Sequence, residues 1–211
     1  MSKKLATEFF GTFFFLGTIA IVVPGGSPFA AFAIGIALMS AVYFGGHVSG
    51  AHYNPAVSLA LFLRKKITSK ELISYVAVQV VAGFLAFLMG LWVTGQPVNI
   101  APTVAVPQAI AIEAFFTCFL ALVVLNVATA KQMAGNHIYG LAIGFTIVAA
   151  ALTGGPLSGG AFNPAVALGA ALVSATKEGS LSNLWIYLIG PFGGSILAAV
   201  IYGTQHGTEA D

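Results

Sequence analysis

The sequence predicts an all-helical integral membrane protein with six transmembrane helices and two re-entrant half-helices, arranged as an inverted three-helix repeat. Three observations predict it: a composition too apolar for water, apolar runs of two distinct lengths, and the same residues recurring about 109 positions apart. Of 211 residues, 58% are hydrophobic and 7% charged, against about 45–50% and about 25% in ordinary soluble domains. So few charged groups cannot cover a globule, and the mean hydropathy of +0.96 agrees that the outer surface faces lipid.

The first run, residues 5–23, is apolar except for Glu8 and stops at Pro24-Gly25-Gly26. Lys3 and Lys4 precede it as in a signal peptide, but no small-residue cleavage pattern closes it, so it is read as a retained helix. The second run, 29–44, starts after Pro28 and is expected to end at Gly45-Gly46, short for a bilayer core about 30 Å thick. Residues 72–93 and 109–128 are long enough to span, and 138–152 is again short before Gly154-Gly155-Pro156. The last span, 184–202, carries an internal Gly190-Pro191, which a membrane bundle tolerates when neighbouring groups satisfy the freed backbone. Residues 204–211 are expected to form a mobile tail.

Two shorter runs remain, 54–63 and 163–173, each opened by Asn-Pro after a glycine-rich turn. Ten helical residues reach about 15 Å, half the hydrocarbon core, so each is a half-helix that enters and turns back.

A shift of 109 places Ala33-Ile34-Gly35 on Ala142-Ile143-Gly144, Gly45-Gly46 on Gly154-Gly155, Ser49-Gly50 on Ser158-Gly159, and Asn54-Pro55-Ala56-Val57 on Asn163-Pro164-Ala165-Val166. Ala82 and Ala86 fall on Gly194 and Ala198 at a shift of 112, a spacing of small residues that allows close helix contact. Glu8 and Thr12 recur as Glu113 and Thr117. The chain is thus one channel domain over 1–211, with repeats of about 1–100 and 101–211. Three spans per repeat invert the second half, and the interrupted segments at matching positions point to the permeation site.

Lys3, Lys4, Arg64, Lys65, Lys66, Lys70 and Lys131 share one side of this topology and Lys177 alone falls on the other. The positive-inside rule then puts both termini in the cytoplasm, with the plasma (inner) membrane as the expected location. Trp92 and Trp185 stand near span ends, where interfacial anchors belong. The net charge of +2 forms no nucleic-acid surface, and the expected partner of the apolar exterior is the lipid bilayer.

The triplets have a physical reason. Proline in the first turn gives up an amide hydrogen that has no intrahelical partner, so Pro55 and Pro164 start helices sharply, with Asn54 and Asn163 as N-caps. Two half-helices meeting head to head would point their positive ends at one another, repelling cations and leaving neutral solutes unaffected.

Through residues 47–56 (His47-Val48-Ser49-Gly50-Ala51-His52-Tyr53-Asn54-Pro55-Ala56) and 158–165, the paired glutamates and Gly190-Pro191, essentially the whole chain resembles the aquaporin family, the major intrinsic proteins. The resemblance implies that the Asn54 and Asn163 amides donate to passing oxygens, beside the plain alternative that both only cap helices. It implies that the carbonyls of Gly50, Ala51, His52, Gly159, Gly160 and Ala161 line the pore, that Glu8 and Glu113 brace the re-entrant loops, and that the assembly is a homotetramer without cofactor or metal. Family spacing puts the outer filter at Ile34, Ala151, Gly160 and Val166. Most members carry arginine where Val166 stands, water-selective ones tend to carry histidine at Ala151, and glycerol facilitators tend to carry aspartate at Ala167. Valine contributes neither donor nor charge. The expected filter is wide and apolar, admitting water with glycerol, urea, ammonia, peroxide or neutral metalloid acids; the alternative is a strict water channel whose constriction is refilled by Phe or Tyr side chains.

Carboxylates within spans are functional suspects, and Glu8 and Glu113 as a proton relay would make an ion-coupled transporter. Their placement, one per half, favours bracing. A coupled transporter would also place ionisable groups within the half-helices, where none occurs before Arg64. His47 and His52 lack a carboxylate or thiolate for a metal site and are read as loop hydrogen-bonding groups, while nothing assigns His137 or His206 a task. Phe13, Phe14 and Phe15 are expected against lipid or in packing, and the single Cys118 as a small buried thiol. No nucleophile–base set supports an enzyme.

Overall fold

The computed structural model describes residues 1–177 and 179–207. Helices α1 (Ser2–Val22), α2 (Ala30–Ser49), α3 (Pro55–Leu63), α4 (Ser69–Thr94), α5 (Val106–Thr129), α6 (Tyr139–Thr153), α7 (Gly155–Ser158), α8 (Pro164–Ala175) and α9 (Ile186–His206) follow in order, with a 3-10 turn at Lys131–Met133. α1, α2, α4, α5 and α9 have the length and apolarity to cross a membrane. α6, with 15 residues, is shorter and is continued by α7. These make the six spans, and α3 and α8, of 9 and 12 residues, are the half-helices.

Two boundaries differ from the sequence expectation. α2 does not stop at Gly45-Gly46 but runs on to Ser49. The glycines there serve packing: a side chain at Gly45 would collide with the Tyr53 hydroxyl, while the N–H groups keep the helix ladder intact. Pro156 occupies the place in the second half that His47 occupies in the first; lacking an N–H, it forces the break between α6 and α7. At the C-terminus, residues 204–206 belong to α9 rather than to a tail and Gly207 is its C-cap; the remaining expected tail residues, 208–211, lie outside the described residues.

Local signals place several ends. Thr68 caps α4 by accepting from the Glu71 N–H while Glu71 accepts from the Thr68 N–H, a reciprocal pair that leaves two amides satisfied. Lys4 reaches the same carboxylate at 2.7 Å and ties α1 to α4. Gly50 and Gly95 close α2 and α4 in the left-handed conformation, at φ 91 and 71°.

The helices pack as pairs, α1 on α4, α5 on α9 and α2 on α6, and the half-helices interleave, α3 lying against α5 and α9 and α8 against α4. Small residues set the crossings. A Cβ at Gly35 would stand 2.6 Å from the Gly144 carbonyl, and one at Gly144 equally close to that of Gly35, so the halves meet backbone to backbone at matching positions. Ala82, Ala86, Gly194 and Ala198 are all buried. The exterior is apolar, with Trp92 84%, Ile73 70% and Phe14 61% exposed, which water would not tolerate over so many helices; this is an integral membrane protein.

Candidate functional site

The site is built from two turns of matching conformation, one before each half-helix. Gly50 and Gly159 open them at φ 91 and 97°, followed by Ala51 and Gly160 at 52 and 68°, and by Tyr53 and Phe162, both at 49°. Aromatic residues seldom hold a left-handed backbone, and something must impose it. Here carboxylates do. Glu8 Oε1 accepts from Ser49 Oγ at 2.7 Å and His52 N at 3.0 Å, and its Oε2 from Tyr53 N at 2.9 Å and Gln79 Nε2 at 2.8 Å. Glu113 repeats this with Ser158 Oγ at 2.7 Å, Ala161 N at 3.0 Å and Phe162 N at 2.6 Å. The hydroxyls of Tyr75 and Tyr187 donate to the carbonyls of Ser49 and Ser158 at 2.8 and 2.6 Å. Both glutamates are fully buried, and these donors offset the desolvation of their charge.

Each triplet asparagine acts at both ends of its amide. Asn54 Oδ1 accepts from Ala56 N at 2.8 Å and Asn163 Oδ1 from Ala165 N at 2.9 Å, capping α3 and α8. The Nδ2 groups cross over: Asn54 donates to the Phe162 carbonyl and Asn163 to the Tyr53 carbonyl, both at 2.9 Å. The starts of the two half-helices are thereby fastened to each other's turns, and their positive ends converge on one point.

A cavity of about 290 Å³ opens from that point. Asn54 and Asn163 border it, and so do Ile34, Ala151, Gly160 and Val166, the four positions expected of an outer filter, together with Ala51, His52, Gly159 and Ala161. Gly50 instead borders a second cavity of about 480 Å³ with His47 and Gly46, and Ile143 faces both spaces. Among the described residues, no protein donor reaches the carbonyls of residues 50–52 or 159–161. Unpaired backbone acceptors at membrane depth are tolerated where they line a water-filled path.

Several residues depart from the sequence reading or escaped it. Phe15 packs in the core, as expected, and in addition borders the 290 Å³ cavity, as does Phe162, while Phe14 is 61% exposed on the apolar exterior. His47 lies in the last turn of α2 rather than in a loop. The His52 ring meets Ser58 Oγ at 3.0 Å, and His206 within α9 meets Asn126 Oδ1 at 2.8 Å. Cys118 is buried and does not border the cavity. Two further contributors carry no motif in the sequence: Gln79, the fourth donor to Glu8, and the loop carrying Val98, Asn99 and Ile100, which lines the cavity. A glutamine within an otherwise apolar span was the available signal for the first.

Residues 1–202 match the family model described as major intrinsic protein. The chain belongs to this family. As a major intrinsic protein, it is a membrane channel for water and small neutral solutes. It is 35% identical over 212 residues to "Aquaporin NIP1-1" of Zea mays, an overlap covering 95% of this chain and 73% of that protein. It is 33% identical over 208 residues to "Glycerol uptake facilitator protein-like 6" of Lactiplantibacillus plantarum, covering 93% and 95% of the two. The solved structure of the aquaglyceroporin from Plasmodium falciparum shares the fold at a TM-score of 0.85, covering 95% of both chains at 24% identity.

Proposed function

We propose that this major intrinsic protein is a passive pore whose wide outer filter, Ile34, Ala151, Gly160 and Val166, passes solutes of glycerol size beside water. The single observation carrying this reading is the lining of the 290 Å³ cavity: among the described residues it includes all four positions and no Asp, Glu, Lys or Arg. A small neutral solute meets neither a fixed charge nor an arginine side chain there, while a cation meets two converging helix starts. The glycerol facilitator among its relatives is consistent with this permeant class.

Within this reading Asn54 and Asn163 each keep one N–H for the permeant after making their crossing bonds, and the carbonyls of Gly50, Ala51, His52, Gly159, Gly160 and Ala161 form the acceptor track. Pro55, Ala56, Pro164 and Ala165 set the half-helix starts, and Glu8 and Glu113 brace the turns. Both termini lie in the cytoplasm, the location is the plasma (inner) membrane, and four copies assemble with one pore each. No reaction is catalysed.

The test is a proteoliposome assay of water, glycerol and urea flux, repeated under proton and sodium gradients. Val166→Arg should cut glycerol and urea flux by tenfold or more, in order-of-magnitude terms, and water flux much less, because the added guanidinium narrows the passage. Equal reductions would defeat the wide filter, and flux driven by an ion gradient would favour a coupled transporter.

A further inference from the structure

The inverted repeat that carries the half-helices also duplicates the four outer filter positions. At the shift of 109, Ile34, Ala151, Gly160 and Val166 fall on Ile143, Val42, Ala51 and Val57. Inversion sends this second set toward the other end of the path. Ile34 lies near the start of α2 and Ala151 near the end of α6, whereas Val42 lies in the later half of α2 and Ile143 near the start of α6.

These four residues stand where the two cavities meet. Ile143 alone among the described residues borders both the 290 and the 480 Å³ space. Ala51 and Val57 border the first and Val42 the second, and all four are buried. The lining changes over within one turn on each wall: from Leu38 to Val42 on α2, from Ala51 to Gly50 in the first re-entrant turn, and from Val124 to Val127 on α5. Gly35 and Gly144, which follow Ile34 and Ile143, make the backbone contact of α2 on α6, so one crossing fixes the depth of both isoleucines.

The two sets differ in bulk. Isoleucine and valine recur unchanged, but Val42 carries two more carbons than Ala151, and Ala51 one more than Gly160. None of the four offers a hydrogen-bonding side chain, and His52 beside them commits its Nδ1 to Ser58 Oγ at 3.0 Å.

We infer that Ile143, Val42, Ala51 and Val57 form an inner apolar collar, tighter than the outer filter, and that this collar sets the size limit for neutral solutes. The inference rests on the 290 Å³ cavity being the permeation path. A polyol or urea loses hydrogen bonds to water at an apolar constriction, and the loss grows with its polar groups and with the closeness of the walls. Of two constrictions in series, the tighter one limits flux.

The test compares Ile143→Ala, Val42→Ala, Ile34→Ala and Ile189→Ala in proteoliposomes of equal protein content, reading water, glycerol and urea permeability. Ile189 is exposed on α9 and borders neither cavity, and its variant should match the unaltered channel. Ile143→Ala should raise glycerol and urea permeability about tenfold and Val42→Ala about threefold, with a smaller change for water, as apolar sites discriminate solutes by methylene-sized changes. Val42→Ala carries the test if Ile143→Ala fails to fold. Ile34→Ala, the same substitution at the repeat-related outer position, should raise solute flux less than Ile143→Ala. In a channel that passes water alone, glycerol flux should begin with Ile143→Ala and not with Ile34→Ala. Collar variants that match Ile189→Ala would overturn the inference, while the wide outer filter would stand if the unaltered channel passes glycerol. Solute flux raised by Ile34→Ala as much as by the collar variants would overturn both readings, because the outer filter would then itself be limiting.

Discussion

Asn54 donates through Nδ2 to the carbonyl of Phe162 at 2.9 Å, a bond between residues 108 positions apart that fastens the start of one half-helix to the turn preceding the other. Asn163 returns it to Tyr53 at the same distance. A capping residue thus doubles as the clasp of the channel's centre.

Removing this amide should register in stability as well as flux. Asn54→Ala gives up a cap worth about 1 kcal/mol and a buried crossing bond worth about 1 kcal/mol. A fall of about 2 kcal/mol in unfolding free energy in detergent micelles is expected, and the same for Asn163→Ala. Because both bonds hold the same pair of turns, the double variant should lose less than the two single losses combined; strict additivity would mean that the clasps act independently.

The buried carboxylates should be intolerant of amide replacement. Glu8→Gln turns an oxygen that faces Tyr53 N and Gln79 Nε2 into a third donor, or else removes acceptance from Ser49 and His52. A loss of about 3 kcal/mol or more follows from leaving charged-acceptor bonds unmade. Glu113→Gln, with three side-chain and backbone donors to disappoint, should lose less, and Gln79→Ala least, in thermal unfolding followed by size-exclusion chromatography. A Gln79→Ala channel as unstable as Glu8→Gln would contradict the ranking.

Glycines should divide by what surrounds them. A Cβ at Gly11 meets the ring of Tyr53, a fully buried side chain whose hydroxyl is already committed to the Ala41 carbonyl at 2.9 Å, so Gly11→Ala should destabilise by about 2 kcal/mol through overpacking. Gly193, inside α9, has nothing within 4 Å of an added Cβ. Gly193→Ala should raise stability by about 0.5–1 kcal/mol from helix propensity alone, measured in the same unfolding assay.

Much of this architecture is legible in the residues because it rests on local chemistry. Proline in a first turn and asparagine before it have one structural meaning, so α3 and α8 begin at Pro55 and Pro164 as the triplets require. The recurrence of Glu8 and Thr12 as Glu113 and Thr117 likewise places both carboxylates at matching positions before any coordinates are known. What could not be read depends on contacts distant in the chain. Gly45-Gly46 looks like a stop because glycine is ambiguous: the pair continues α2 when the neighbouring Tyr53 needs the space. Nothing near Phe15 tells which of three consecutive phenylalanines turns inward. The docking of residues 98–103 on α7 is equally invisible, since Val98-Asn99-Ile100 reads as an ordinary connection until the second turn is present to receive it.

The reciprocal asparagine bonds also constrain biosynthesis. As the ribosome extends the chain, the first re-entrant loop enters the bilayer without the carbonyl that will receive its amide, because Phe162 has yet to be made. Lipid cannot stand in for that acceptor. The pore centre therefore cannot close on the N-terminal half alone: both crossing bonds need residues from each half of the chain.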